Sequence, residues 1–191
     1  MSRPLGVLAV CTGNICRSPA AERLLATALG DSARVASAGT AAVVGHPVDD
    51  AMAELLASDG VPTEGFRAQQ LSEGLVREAD LVLALTRDQR VQVVDLWPAA
   101  VRRTFTLTEF AGLVERVTPR DSAPGTPERL RELRDLAAAA RSGASLRGAA
   151  LDVLDPFGGP ASGFEAAYSL IKQAVASVRR AAVATQGGEG T

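Results

Sequence analysis

A cysteine, an arginine and a serine near the start of the chain have the types and spacing that phosphoryl transfer requires. Five residues separate Cys11 from Arg17, and Ser18 follows. A thiolate becomes a usable nucleophile when backbone N–H groups and positive charge stabilise it. The planar guanidinium of Arg17 can bind two oxygens of a tetrahedral oxyanion, and the Ser18 hydroxyl can donate a hydrogen bond to the sulfur. This spacing predicts a phosphocysteine intermediate.

The segments on either side of these residues predict an anion-binding loop. Leu5–Val10 is a short apolar run typical of a buried strand. Ser18 and Pro19 open an amphipathic helix over Ala20–Leu29, and the first N–H groups of a helix have no intrahelical partner. We therefore expect the residues between strand and helix to bind phosphate; they are Thr12, Gly13, Asn14, Ile15, Cys16 and Ser18.

The nine residues from Cys11 to Pro19 resemble the phosphate loop of the low-molecular-weight protein tyrosine phosphatases. Far downstream, Asp155-Pro156-Phe157 stands where that family has an Asp-Pro pair, and the segment 35–40 is similar to the family's second strand and the loop after it. The resemblance implies a protein-tyrosine-phosphatase whose catalytic residues are Cys11, Arg17 and Asp155. It also implies a substrate pocket that includes Phe157 and Ser37, with Ser37 as the family's serine that hydrogen-bonds the loop asparagine.

Asp155 is the expected general acid. It would protonate the leaving oxygen and then activate the water that hydrolyses the phosphocysteine. Asp152, three residues earlier, is a rival acid. The Pro156-Phe157 pair that follows Asp155 matches the family and favours Asp155, although both aspartates could be ordinary loop residues.

Strand and helix patterns alternate along the chain. Apolar runs predict three further strands, at Arg34–Ser37, Ala79–Thr86 and Arg103–Leu107. Helical spacing predicts helices at Asp49–Ser58, Arg87–Leu96, Thr108–Glu115, Glu128–Arg141 and Ser162–Val183, and Phe66–Leu71 is a candidate edge segment. This alternation predicts an α/β fold of flavodoxin-like type, a small doubly wound four-stranded parallel sheet with helices on both faces.

The domain organisation follows from the same pattern. We expect one phosphatase domain over residues 1–183 and a disordered tail over residues 184–191. An insert at about residues 118–148 is longer than the family usually carries before its Asp-Pro pair. A lid, a docking face and a solvated spacer helix are all open interpretations, of which we favour the spacer.

Composition limits which classes of partner the protein is expected to bind and where it is expected to be located. The net charge is −2 at an isoelectric point near 5.5, which does not favour nucleic-acid binding. No apolar run approaches the ~20 residues that span a bilayer, and no signal peptide is evident, so we expect a cytoplasmic protein without membrane insertion.

The two cysteines and the distant His46 make a poor set of metal ligands, and no nucleotide-binding motif is present. We expect no cofactor, a phosphotyrosine-containing protein as substrate, and phosphate or another oxyanion in the loop.

Several alternatives remain open from the sequence. A protein arginine phosphatase of the same superfamily typically has threonine at the position of Ile15, so Ile15 favours phosphotyrosine. A thioredoxin-coupled arsenate reductase needs resolving cysteines, and none follows Cys16. A non-catalytic phosphate-binding or redox-sensing module would use a reversible disulfide between Cys11 and Cys16. Residues 41–44 provide no second aromatic wall, and Gly158 replaces a common aromatic residue, which weakens the expected preference for phosphotyrosine.

Overall fold

The computed structural model describes residues 3–141 and 152–185, in which four parallel strands form a single sheet. The strands lie in the order β2-β1-β3-β4, so the chain leaves the central strand β1 first toward one edge and then toward the other. Their bounds are β1 Leu5–Cys11, β2 Ala33–Gly39, β3 Leu81–Ala84 and β4 Thr104–Thr106. The predicted fold class is confirmed.

Seven α-helices are present in the described part of the chain. Their bounds are α1 Arg17–Leu29, α2 Asp50–Ser58, α3 Glu73–Glu78, α4 Arg87–Leu96, α5 Leu107–Val114, α6 Pro127–Ala140 and α7 Ala161–Val183. Hydroxyl or carboxylate side chains cap the first turns of five of them, at Asp49, Ser72, Thr86, Thr106 and Thr126. Helix α1 differs, because the side chain of its N-cap residue Cys16 makes no capping hydrogen bond.

Alternate residues of the central strand pack on opposite faces of the sheet. Leu5, Val7 and Ala9 belong to the larger hydrophobic cluster, whereas Leu8 and Val10 belong to the smaller one. Helices α1, α2, α5, α6 and α7 contribute to the larger cluster, and α3 and α4 contribute to the smaller one. Because both faces are covered, β1 reads as a continuous apolar run rather than an alternating one.

Helix α3 was not predicted from the sequence, whereas the segment before it forms an edge contact as expected. The helix has only six residues and buries a single apolar side chain, Val76, so it lacks a periodic stripe that sequence analysis could detect. The predicted edge segment Phe66–Leu71 is an extended stretch with one parallel bridge, between Gln70 and Gly39. No helix in residues 3–141 and 152–185 is long and apolar enough to cross a membrane.

The prediction of a solvated spacer helix in the insert was wrong. Helix α6 buries Leu130, Leu133 and Ala137 in the larger hydrophobic cluster, and Leu133 is fully inaccessible. The three residues share one face of the helix at spacings of three and four, which is the pattern of a core helix. Residues 142–148 of the insert and the last six residues of the predicted tail lie outside the described residues.

We predict that Leu133→Ala destabilises the protein by about 3 kcal/mol, because it removes a fully buried isobutyl group and leaves a cavity. Urea denaturation followed by circular dichroism measures the loss. Leu96→Ala is the matched control, since Leu96 is 39 % exposed at the end of α4. Equal, small effects of the two substitutions would restore the solvated-spacer interpretation.

Candidate active site

The loop between β1 and α1 directs its N–H groups inward because its carbonyl groups are bound on the outside. Four loop carbonyls accept hydrogen bonds of 2.8–3.0 Å from backbone N–H groups of the segment 40–49; they belong to Cys11, Thr12, Gly13 and Ile15. In a trans peptide the C=O and N–H point in opposite directions. The N–H of the residue after each carbonyl therefore points to the inside of the loop, and that of Asn14 lies 3.2 Å from Cys11 Sγ.

The loop turns through Asn14, the one non-glycine residue with positive φ (54°) in the described part of the chain. Asparagine tolerates this left-handed conformation better than most residues. Its fully buried side chain accepts a 2.8 Å hydrogen bond from the N–H of Gln69, and donates to the hydroxyls of Ser18 at 2.9 Å and Ser37 at 2.8 Å. Three polar contacts thus hold the turn.

Ser18 lies between this asparagine and the cysteine. Its hydroxyl oxygen accepts from Asn14 Nδ2 and is 2.9 Å from Cys11 Sγ. A serine hydroxyl has only one proton, and since the amide of Asn14 already donates to the oxygen, that proton is available to the sulfur. Cys11 Sγ therefore has two donors, the Ser18 hydroxyl and the Asn14 N–H.

Ser37 supports the loop from beneath and does not line the substrate pocket, contrary to the prediction. It is 1 % exposed, accepts from Asn14 Nδ2, and donates a 2.6 Å hydrogen bond to Glu22 Oε2. Burial raises the pKa of the Glu22 carboxyl, although the hydrogen bond from Ser37 opposes this shift. Glu22 and Gln69 are supporting residues that sequence reasoning missed; Gln69 also donates to the Ser37 carbonyl.

Arg17 connects residues 152–157, called here the acid loop, to the phosphate loop between β1 and α1. Its buried guanidinium donates to the carbonyl of Val153 at 3.0 Å and forms an ion pair with Asp155. Its Nε is buried and has no hydrogen-bond partner among the described residues. The Asp155 side chain is 48 % exposed. Cys11, Arg17 and Asp155 therefore meet in one place, and Arg17 retains a donor that an oxyanion could use.

Asp152 is committed to another partner. One carboxylate oxygen accepts from the N–H of Arg87 at 2.7 Å, and the other accepts from that residue's guanidinium at 3.1 Å. Burial raises the pKa of Asp152, but the hydrogen bonds and charge of Arg87 outweigh burial and leave the pKa below its usual value. A carboxyl that remains ionised is a poor general acid, which argues against Asp152 in that role.

Cys16 is not a second nucleophile of the same kind. Burial, reinforced by the negative charges of Asp49, Cys11 and Asp155, raises the pKa of its thiol to about 12. The thiol remains protonated near neutral pH and packs in the larger hydrophobic cluster. Its backbone N–H still points into the loop, because the Ile15 carbonyl before it is bound on the outside.

The mouth of the site is apolar. Phe157 is 63 % exposed and its N–H donates to the Asp155 carboxylate, while Leu154 and Val44 are also exposed. The Thr12 hydroxyl accepts a 3.1 Å hydrogen bond from the side-chain amide of buried Gln89. This contact holds the edge of the site that faces β3. Phe157 as an aromatic wall stays a prediction, and Val43 lies beside Gly13 of the phosphate loop.

Comparison with known proteins agrees with this geometry. A family model described as low molecular weight phosphotyrosine protein phosphatase matches residues 6–141. The chain belongs to this family. Its identification as a phosphatase enzyme of the low-molecular-weight type, expected from the phosphate loop, is therefore confirmed.

Two bacterial relatives illustrate the similarity. The low molecular weight protein-tyrosine phosphatase A of Mycobacterium tuberculosis is 36 % identical over 181 residues, which cover 92 % of this chain and 90 % of the relative. The probable low molecular weight protein-tyrosine-phosphatase EpsP of Ralstonia nicotianae is 41 % identical over 104 residues, which cover 54 % of this chain and 71 % of that protein.

Solved structures of the family share the fold over nearly the whole chain. The YwlE arginine phosphatase from Geobacillus stearothermophilus superposes with a TM-score of 0.69 at 28 % identity, covering 93 % of this chain and 92 % of that one. Wzb of Vibrio vulnificus, solved in complex with benzylphosphonate, gives a TM-score of 0.68 at 26 % identity, with 92 % and 97 % covered. Tyrosine and arginine phosphatases are thus both among the structural neighbours.

We predict that Gly39→Ala impairs phosphate binding and turnover, because a Cβ at this position would lie 2.4 Å from the carbonyl oxygen of Thr12 and push the loop outward. The measurements are kcat/KM for an aryl phosphate and the inhibition constant of inorganic phosphate. Gly74→Ala is the matched control, since its Cβ meets nothing closer than 3.8 Å. Unchanged phosphate inhibition in Gly39→Ala would show that this contact does not shape the loop.

Proposed function

We propose that this protein hydrolyses phosphotyrosine in protein substrates, and aryl phosphates in general, through a phosphocysteine intermediate. The observation that carries the proposal is the meeting of Cys11, Arg17 and Asp155 at the uncapped N-terminus of α1. The inward N–H groups of the loop supply donors for the equatorial oxygens of a phosphate, whose charge must be stabilised in the transition state.

In the first step Cys11 attacks phosphorus in line with the ester bond. An S–P bond forms, the P–O ester bond breaks, and the leaving oxygen takes a proton from Asp155. In the second step water attacks the phosphocysteine and gives a proton to Asp155, and the thiolate leaves with the Ser18 hydroxyl donating to it. Inorganic phosphate is released and both side chains return to their starting protonation states.

Substrate binding must exchange the partner of Arg17. The guanidinium that pairs with Asp155 is also the group required by the phosphate oxygens. A phosphate dianion offers more negative charge and bidentate geometry, so it displaces the carboxylate. Once displaced, the half-exposed Asp155 carboxyl is no longer held by Arg17. Binding thereby frees Asp155 to act as the general acid.

The acid loop keeps its position during this exchange because other contacts hold it. The N–H of Val153 donates to the carbonyl of Leu85 at 2.8 Å, just beyond the end of β3. The Arg87–Asp152 pair adds a second attachment at the start of α4. Displacing the Asp155 carboxylate from Arg17 therefore does not require the loop to leave the sheet.

We predict that reduced wild-type protein hydrolyses p-nitrophenyl phosphate, that Cys11→Ser is inactive, and that Asp155→Asn lowers kcat by about 10²–10³, because the leaving oxygen loses its proton donor. Steady-state kinetics at mildly acidic pH in the presence of a chelator measures these effects. Asp95→Asn, an exposed aspartate in α4, is the control and should retain wild-type kcat.

Two results would contradict the proposal in different ways. If Asp155→Asn behaves like Asp95→Asn, another group is the acid. If the reduced wild type binds phosphate but does not turn over, the loop is a receptor or a sensor and the enzyme proposal fails.

Protein arginine phosphatase activity is the second candidate, favoured by the structural similarity to a protein named as an arginine phosphatase. Ile15 argues against it. Its half-buried side chain packs on the larger hydrophobic cluster at the base of the loop. A phosphoarginine guanidinium against an apolar side chain would lack a hydrogen-bond partner, whereas a tyrosine ring requires none.

We predict that the wild type prefers a phosphotyrosine peptide to a phosphoarginine peptide of the same sequence. Ile15→Thr should shift the ratio of the two kcat/KM values toward phosphoarginine by about tenfold, since a hydroxyl replaces an apolar branch. Ile15→Val, which keeps the branch apolar, is the matched control. A wild type that favours phosphoarginine would overturn this assignment and leave the phosphocysteine mechanism intact.

A redox-sensing role remains a prediction beside catalysis. It requires peroxide to oxidise Cys11 to a sulfenic acid, which the Cys16 thiol then attacks with loss of water to give a disulfide. The raised pKa of Cys16 leaves little thiolate for that attack near neutral pH. Formation of the disulfide would therefore be slow compared with the oxidation of Cys11 that precedes it. The cytoplasmic location also remains a prediction.

A further inference from the structure

A cavity of about 430 Å³ lies between the C-terminal ends of α5 and α7 and the first turn of α6. No residue of the phosphate loop or the acid loop lines it. Its walls are mainly apolar, formed by Val114, Val117, Pro119, Ala181 and Ala184. A cavity of this size and polarity is typical of a small-molecule site.

A buried arginine lines this cavity without an ionic partner. Arg129 is 2 % exposed and is the largest fully buried side chain of the described part of the chain. Its Nε has no hydrogen-bond partner there, and its guanidinium makes one 3.3 Å hydrogen bond, to the carbonyl of Ala184. No carboxylate of the described residues lies within ion-pair distance of it. Because arginine remains protonated in proteins, its charge is retained in this apolar setting.

The carboxylates near Arg129 are hydrogen-bonded to other groups. Glu115 also lines the cavity, but its carboxylate pairs with Arg180 at 2.6 Å. The charge of Arg129 acts at a distance on Glu132, whose oxygens are occupied by Ser122 and by backbone N–H groups of residues 120 and 121. The C-terminus of α7 offers only a partial negative charge, of about half a unit. Among the described residues no carboxylate is hydrogen-bonded to Arg129, and its guanidinium keeps unused donors.

We propose that this cavity binds a small carboxylate with a short apolar chain. The guanidinium fork of Arg129 would take the carboxylate, and the apolar walls would cover the chain. Thr118 and Ser177, which also line the cavity, provide the nearby hydroxyl groups. The guanidinium fork matches the two oxygens of a carboxylate, whereas a phosphate dianion would need more donors than these.

Hexanoate is the probe, with 1-hexanol as the uncharged control of equal chain length. Isothermal titration calorimetry on reduced full-length protein should give saturable hexanoate binding that is at least about tenfold tighter than hexanol binding, because a charge-assisted hydrogen bond is lost with the alcohol. Arg129→Met should weaken hexanoate binding about tenfold and leave hexanol binding unchanged. Arg134→Met is the matched control in the same helix, since Arg134 pairs with Asp135 outside the cavity.

Amide chemical shifts keep the proposal testable if Arg129→Met does not fold. In the wild type, hexanoate should shift the amides of Thr118, Ser177 and Ala184 and leave those of Asn14 and Cys16 in place. Shifts confined to the phosphate loop would mean that the catalytic site alone binds the anion. The proposal would be overturned by that result, by equal binding of hexanol and hexanoate, by undiminished hexanoate binding to Arg129→Met, or by the absence of binding. None of these readouts depends on phosphatase activity.

Discussion

The left-handed turn at Asn14 is the constraint on which the site depends. Positive φ at a residue with a side chain is costly, and here the cost is offset by the contacts of a buried amide with Ser18, Ser37 and the backbone of Gln69. The turn directs the Asn14 N–H at the cysteine sulfur. The same amide occupies one lone pair of Ser18, so that the serine proton is left for the sulfur. Geometry and electrostatics at Cys11 thus have a common origin.

The parallel sheet explains why distant parts of the chain meet at this turn. The carboxyl ends of β1, β2 and β3 lie along one edge, and each leads directly into a part of the site. β1 leads into the phosphate loop, and β2 ends at Gly39, where the absence of a side chain admits the Thr12 carbonyl. β3 leads to Leu85, which anchors the acid loop. Strand order, rather than sequence proximity, assembles the groups.

Sequence analysis identified the groups whose role follows from neighbouring residues in the chain. It missed the groups whose role depends on packing between distant segments. The loop from Cys11 to Ser18 is readable because a strand, a turn and a helix start follow one another within a few residues. Gln69 acts largely through its backbone N–H, which carries no residue-specific signal, so only the structure could reveal it. Ser37 illustrates a mixed case: its partner was expected, but its burial beneath the loop depends on the register of β2 against β1.

The insert shows the same limit on a larger scale. Its charged, alanine-rich sequence is compatible with a solvent-exposed helix, and the apolar spacing of α6 is equally compatible with a core helix. Tertiary packing decides between them, since Leu130, Leu133 and Ala137 are buried in the larger hydrophobic cluster. The burial of Arg129 at the start of that helix could not be predicted either, because it depends on neighbours that lie far along the chain.

The distance in sequence between the two halves of the site has a consequence for biosynthesis. Asp155 is 138 residues beyond Arg17. At ordinary rates of translation the ribosome adds the acid loop roughly ten seconds after the residues of the phosphate loop. A nascent chain can therefore carry the proposed nucleophile without the proposed general acid. On the proposed mechanism, full activity requires that residues 152–157 have been made and have docked against the sheet, so hydrolysis would report on completion of the fold.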